Sequence, residues 1–110
     1  MIVEKKEFNE NEERWIECIY DSSNILKSVY LPKLKRLYIS FNRGGVYSYN
    51  NIDDTLYNEF EVAKSQGKFF AKHIKKHPDK YPHRKEFSLF PSEIEQAKKI
   101  IEEKKQNDEE

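Results

Sequence analysis

From Leu34 to Tyr49 apolar and polar residues alternate, and the alternation is interrupted at Asn42-Arg43-Gly44-Gly45. Leu37, Ile39 and Phe41 fall on one side of an extended chain, Arg36, Tyr38 and Ser40 on the other. That is the signature of a half-buried antiparallel strand. The turn decides where the following tyrosines point. A three-residue loop, Asn42-Arg43-Gly44 with Gly44 left-handed, is a type I turn ending in a glycine bulge. It pairs Phe41 with Gly45, Ile39 with Tyr47 and Leu37 with Tyr49, so both tyrosines join the apolar face. A two- or four-residue loop would move them to the side of Tyr38 and Ser40. The three-residue loop is preferred because it collects five large residues on one face.

The remaining segments are arranged around this hairpin. Residues 1–14 are polar and read as a mobile arm. Trp15 to Tyr20 is apolar and fits a helix or a strand equally. Asp21-Ser22-Ser23-Asn24 is a turn, because these side chains bond their own backbone. Ile25 to Tyr30 reads as a strand closed by Pro32. Asp53 and Asp54 open a helix carrying Leu56, Tyr57, Phe60 and Ala63 on one side. Gly67 reads as its left-handed stop. A second helix runs from about Lys68 to His77, with Phe70 and Ile74 inward, and ends before Pro78. Tyr81-Pro82-His83-Arg84-Lys85 reads as a loop, and Phe87, Leu89 and Phe90 are apolar enough to dock on the domain. Ser92 and Glu95 suggest a capping box for a last helix over 92–106, striped by Ile94, Ala97, Ile100 and Ile101.

The expected fold is therefore α+β: a small three-stranded antiparallel meander, two helices on one face, and an additional C-terminal helix. The domain reading is a polar arm over 1–14, an α+β domain over 15–82, and a C-terminal extension over 83–110.

The 110 residues carry 20 basic and 20 acidic groups. The cancellation hides a pattern: net −2 over residues 1–14, +5 over 15–86 and −3 over 87–110. Lys64 to Lys85 holds eight basic groups against Asp79 alone. A basic middle of this kind can meet a polyanion, and it can equally be a solvated face. Cys18 has no partner for an internal disulfide, which fits a reducing compartment. With no apolar leader and no membrane-length run, the sequence is read as cytoplasmic.

Lys68, Lys72, His73, Lys75 and Lys76 on the second helix, with Arg84, Lys85 and Arg43, are the candidate nucleic-acid contacts. Tyr47 and Tyr49 can stack on unpaired bases, or serve as packing with hydroxyls at the rim. His73 and His77 share a helical side, but two ligands do not make a metal site, so no metal or cofactor is expected. No nucleophile–base pair and no phosphate loop is present in the pattern, and no enzymatic activity is expected.

Ser22-Ser23-Asn24-Ile25, Tyr30, Pro32, Leu37-x-Ile39-x-Phe41-x-x-Gly44, Tyr47-x-Tyr49, Ala63-x-Ser65-x-Gly67, Phe69-Phe70 and His73-Ile74 together resemble the KTSC family. This small bacterial and phage domain also occurs at the C-terminus of some lysyl-tRNA synthetases. The resemblance runs from Ser22 to about Tyr81 and departs at Leu31, Asp53 and Ala71. It implies a non-catalytic domain with a suggested role in RNA binding. Two other readings compete. One is a protein-interaction or inhibitor module working through the last helix. The other is a site for a small anion such as a nucleotide, between Ser22, Ser23, Asn24 and the helix starting near Lys68.

Overall fold

The structure, a computed structural model, describes residues 1–108. Its centre is one antiparallel sheet of six strands in the order β1-β2-β3-β4-β5-β6. These are β1 (Ile2–Glu10), β2 (Glu13–Tyr20), β3 (Ile25–Leu31), β4 (Arg36–Phe41), β5 (Gly45–Tyr49) and β6 (His83–Ser88). Between β5 and β6 the chain leaves the sheet to form α1 (Asp54–Val62), α2 (Gln66–Phe70) and a π-helical turn (Ala71–Lys75). Helix α3 (Pro91–Asp108) follows β6.

The sheet of six replaces the expected sheet of three. Two of the added strands come from segments read as an arm and a loop. β1 pairs with β2 from Glu4 opposite Ile19 to Glu10 opposite Glu13. Their turn is Asn11-Glu12, both left-handed at φ 52° and 67°. That is the two-residue geometry whose twist suits a hairpin, reached here without glycine. Phe8 and Trp15 stack across the pair, centroids 5.0 Å apart. Trp15 to Tyr20, open between helix and strand, is β2. β6 pairs with β5 from Gly45 opposite Ser88 to Tyr49 opposite His83. Both new strands lie at the edges of the sheet, where charged side chains are tolerated because one flank stays in water.

The hairpin has the three-residue loop. Gly44 sits at φ +103°, its amide donates to the Phe41 carbonyl, and Leu37 and Ile39 oppose Tyr49 and Tyr47. Those tyrosines therefore share a face with Ile16, Cys18, Tyr20, Tyr30, Leu37 and Ile39. α1, α2 and the π turn cover that face with Tyr57, Phe60, Phe70 and Ile74 to close the core. Tyr30 and Tyr57 stack at 4.1 Å. Asp53 caps α1 by accepting from the Leu56 amide, as its position implied.

Two local expectations are corrected. Gly67 is not a left-handed stop: α1 ends at Val62, and Gly67 lies within α2, whose cap is Ser65. A Cβ at Gly67 would stand 3.5 Å from Asn24 Cβ and 3.6 Å from Ser22 Oγ, so the glycine lets α2 approach the β2–β3 turn. At α3 the reciprocal cap comes two residues earlier than Ser92–Glu95, with the Phe90 amide donating to Glu93. Proline at the first helical position then costs no hydrogen bond.

α3 starts against the hairpin tip, where Leu89 N donates to Gly44 O. It lies along β1, β2 and β3 and ends with Lys105 paired to Asp21 at 3.2 Å. Ala97 is buried and Ile94, Ile100 and Ile101 are half-buried, so this stripe is largely used within the domain. No described helix is long and apolar enough to cross a membrane.

Candidate functional site

Where the second helix was expected, α2 gives way to a π turn after one and a half turns. The wider winding places Phe70 and Ile74 in the core while Lys75 borders open space beside Pro78. Single π turns recur at functional positions because they re-aim side chains at some cost in packing. The space they border is a cleft of about 450 Å³. Its floor is Tyr49, Phe70 and Ile74, and its walls include Phe41, Tyr47 and Tyr81. Asn24, Lys75 and His83 supply the polar rim.

The rings hold one another edge to face. Phe70 meets Tyr49 at 5.0 Å and Phe41 at 5.7 Å, and Phe41 meets Tyr47 at 5.8 Å. His83 stacks on Tyr49 at 5.8 Å and tilts toward Tyr47 at 6.4 Å. Such an array resists collapse because each ring is already in a favourable pair. Burial pushes the Tyr49 phenol up to about 12, with the neighbouring Tyr47 adding to the effect. None of the Tyr47, Tyr49 and Tyr81 hydroxyls, nor the Asn24 side-chain amide, bonds to another described side chain or backbone group. Asn24 is fixed through its backbone, whose carbonyl accepts from Asn42 N at 2.9 Å.

The basic candidates divide. Lys68, Lys72, Lys75 and Lys76 are exposed on α2 and the π turn, and no ion pair to any of them forms among the described residues. Arg43 is exposed at the hairpin tip. Arg84 and Lys85 part company, since neighbouring strand residues face opposite ways. Lys85 opposes Tyr47 on the cleft side. Arg84 opposes Ser48 on the other side and is paired with Glu86 at 3.1 Å, which Ser48 Oγ also bonds. His73 is exposed and lies against the Phe69 ring at 4.4 Å.

Ser22 and Ser23 do not join the cleft. Ser22 Oγ accepts from Asn24 N and Ile25 N, fixing the turn, and packs near Gly67. α2 has five residues, and the Ser65 hydroxyl accepts from its Lys68 amide. Gly67 thus brings this helix into close approach with the Ser22–Asn24 turn, where the sequence suggested a small anion. No group of three metal-ligating side chains exists among the described residues.

Sequence reasoning missed Phe41, Tyr81 and His83 as parts of one site. Phe41 reads only as one residue of the apolar face of its strand, and Tyr81 and His83 lie in a stretch with loop character and no strand pattern.

The sequence matches the KTSC domain family model over residues 21–81. The chain belongs to the KTSC domain family. The crystal structure of a KTSC domain protein from Yersinia pestis is similar at a TM-score of 0.57 and 27% identity, covering 76% of this chain and all of that one. No curated protein matches the sequence. The family match takes in the cleft residues from Asn24 to Tyr81 and stops short of His83 and Lys85.

Proposed function

We propose that this KTSC protein is a non-catalytic nucleic-acid-binding module that holds RNA by its phosphates along α2 and the π turn. The observation carrying this reading is that Lys68, Lys72, Lys75 and Lys76 crowd nine residues without a carboxylate partner among the described residues, whereas Lys5, Arg14, Arg84 and Lys105 are paired. Unpaired lysines so close together repel one another, and a polyanion relieves that repulsion while releasing its own counterions. Lys85 and Arg43 extend the face toward the hairpin. The α3 stripe offers less to a protein partner, because Ala97 is buried at home.

The test is binding of short single-stranded and duplex RNA and DNA pools at low and physiological salt, with wild type and K72E/K76E. Salt-sensitive RNA binding that the double reversal removes, with unchanged circular dichroism, supports the reading. Undiminished binding by the reversed protein rejects the lysine face, and no binding at low salt rejects the function.

A further inference from the structure

We propose that the aromatic cleft between β4–β5 and the π turn is a binding site for one nucleotide, with the base among the rings and the phosphate at Lys75. The ligand class rests on the nucleic-acid reading above; the site itself rests on the cleft.

Four features of the cleft select this chemistry. Its volume, about 450 Å³, lies in the range of small-ligand sites. Its walls are rings, which favour a flat conjugated ligand over a branched aliphatic one, since a base gains stacking on each face it covers. Its rim carries Lys75 and no carboxylate. That sign excludes the cations that aromatic cages otherwise hold and admits an anion. Finally, the Asn24 side-chain amide and the Tyr47, Tyr49 and Tyr81 hydroxyls have no partners among the described residues and can serve the edge of a base, which presents both donors and acceptors. Hydroxyls that donate or accept as required make poor discriminators, so the site accepts purines and pyrimidines with small preference.

The π turn explains why phosphate and base can be met together. It sets Ile74 into the core floor while its next residue, Lys75, stands at the mouth. A nucleotide seated on the rings therefore presents its phosphate to the same element that carries Lys72 and is followed by Lys76. One nucleotide of a strand can be held in the cleft while its neighbours follow the lysine face. The same chemistry can come from a free mononucleotide.

The experiment is an NMR titration of the labelled full chain with four probes: uridine 5′-monophosphate, adenosine 5′-monophosphate, ribose 5-phosphate and octauridylate. Each is run on wild type, Y47A, K75A, H83A and K72E/K76E. Lys75 and His83 are exposed, so their variants remain folded if Y47A does not. The expected result is saturable shifts of Tyr47, Tyr49, Lys75 and His83 amides with both mononucleotides and none with ribose 5-phosphate. K75A and H83A should weaken this binding by roughly tenfold, the scale of one stacking or phosphate contact. K72E/K76E should keep mononucleotide binding while losing octauridylate. Octauridylate binding that leaves the cleft amides unmoved and is indifferent to H83A overturns the cleft and leaves the lysine face standing. Mononucleotide binding without octauridylate binding supports the cleft and overturns the RNA reading. Ribose 5-phosphate binding as tight as the mononucleotides overturns the base site, and no shift with any probe overturns both proposals.

Discussion

Tyr49 and His83 lie face to face across strands β5 and β6, their ring centroids 5.8 Å apart and their planes 23° from parallel. Tyr49 falls within the KTSC match and His83 beyond it, so the cleft is finished by an edge strand outside the family segment. The join also sets what β6 does: it supplies an exposed ring to a buried aromatic floor.

Removing that ring should open the cleft without unfolding the sheet. His83→Ala is expected to change stability by no more than about 0.5 kcal/mol, the usual range for an exposed side chain. A large fall in the thermal midpoint would instead make His83 a structural strut.

Gly44 is held twice over. At φ +103° a side chain is strained, and a Cβ there would come within 3.0 Å of Ile94 Cδ1 at the start of α3. Gly44→Ala should cost about 1–2 kcal/mol for the left-handed backbone alone. Pairing it with Ile94→Ala should recover the part due to contact, and a double-mutant cycle in urea measures that part. Simple additivity of the two costs would show that the contact contributes nothing.

Gly67 responds differently to size. Its missing Cβ would rest at ordinary contact distance from Asn24 and Ser22. Gly67→Ala should be neutral or stabilising by up to about 1 kcal/mol, the helix-propensity gain. Gly67→Leu should destabilise by about 1–3 kcal/mol, because a larger side chain has to push α2 off the turn. Equal stability of the two variants would show that the close approach is unimportant.

The buried phenols make the fold sensitive to alkali. Burial holds Tyr49 up at about 12 against an ordinary 10, and pushes Tyr20, Tyr30 and Tyr57 up as well. A raised folded-state value means the neutral form is favoured by folding. The stabilisation is complete below pH 10 and is lost as pH climbs through 12. Phenolate absorbance should therefore include a late, cooperative component that coincides with loss of circular dichroism. A single smooth titration centred at the ordinary value, with structure intact, would contradict this.

If RNA follows the lysine face, its affinity should fall with salt by about 0.7 log units per log unit for each phosphate neutralised on a single strand. Lys72→Ala should reduce that slope by about one such step at every sequence tested. An unchanged slope would remove Lys72 from the interface.

Much of the centre was legible because its signals are local. The alternation of Leu37, Ile39 and Phe41, Gly44 at the loop and Asp53 before α1 each act within a few residues. They led to the correct hairpin register and the α1 cap, and through register to the face of Tyr47 and Tyr49. The edges were not legible. β1 and β6 are rich in charge because one flank of each stays in water, and Asn11-Glu12 forms its tight turn without the glycine that announces one. A strand such as His83–Ser88 has no apolar alternation to display. It is a strand because β5 offers it hydrogen bonds.

The sequence by itself determined the hairpin, the helix that follows it and the basic stretch from Lys64 to Lys85. Only the tertiary structure decided that Asn24, Phe41, Tyr47, Tyr49, Lys75, Tyr81 and His83 share one cleft. They come from five separate segments, and what unites them is the pairing of β6 to β5 and the π turn that holds Lys75 at the mouth. Neither can be read from local pattern, because both are set by which surfaces meet when the helices fold back onto the sheet.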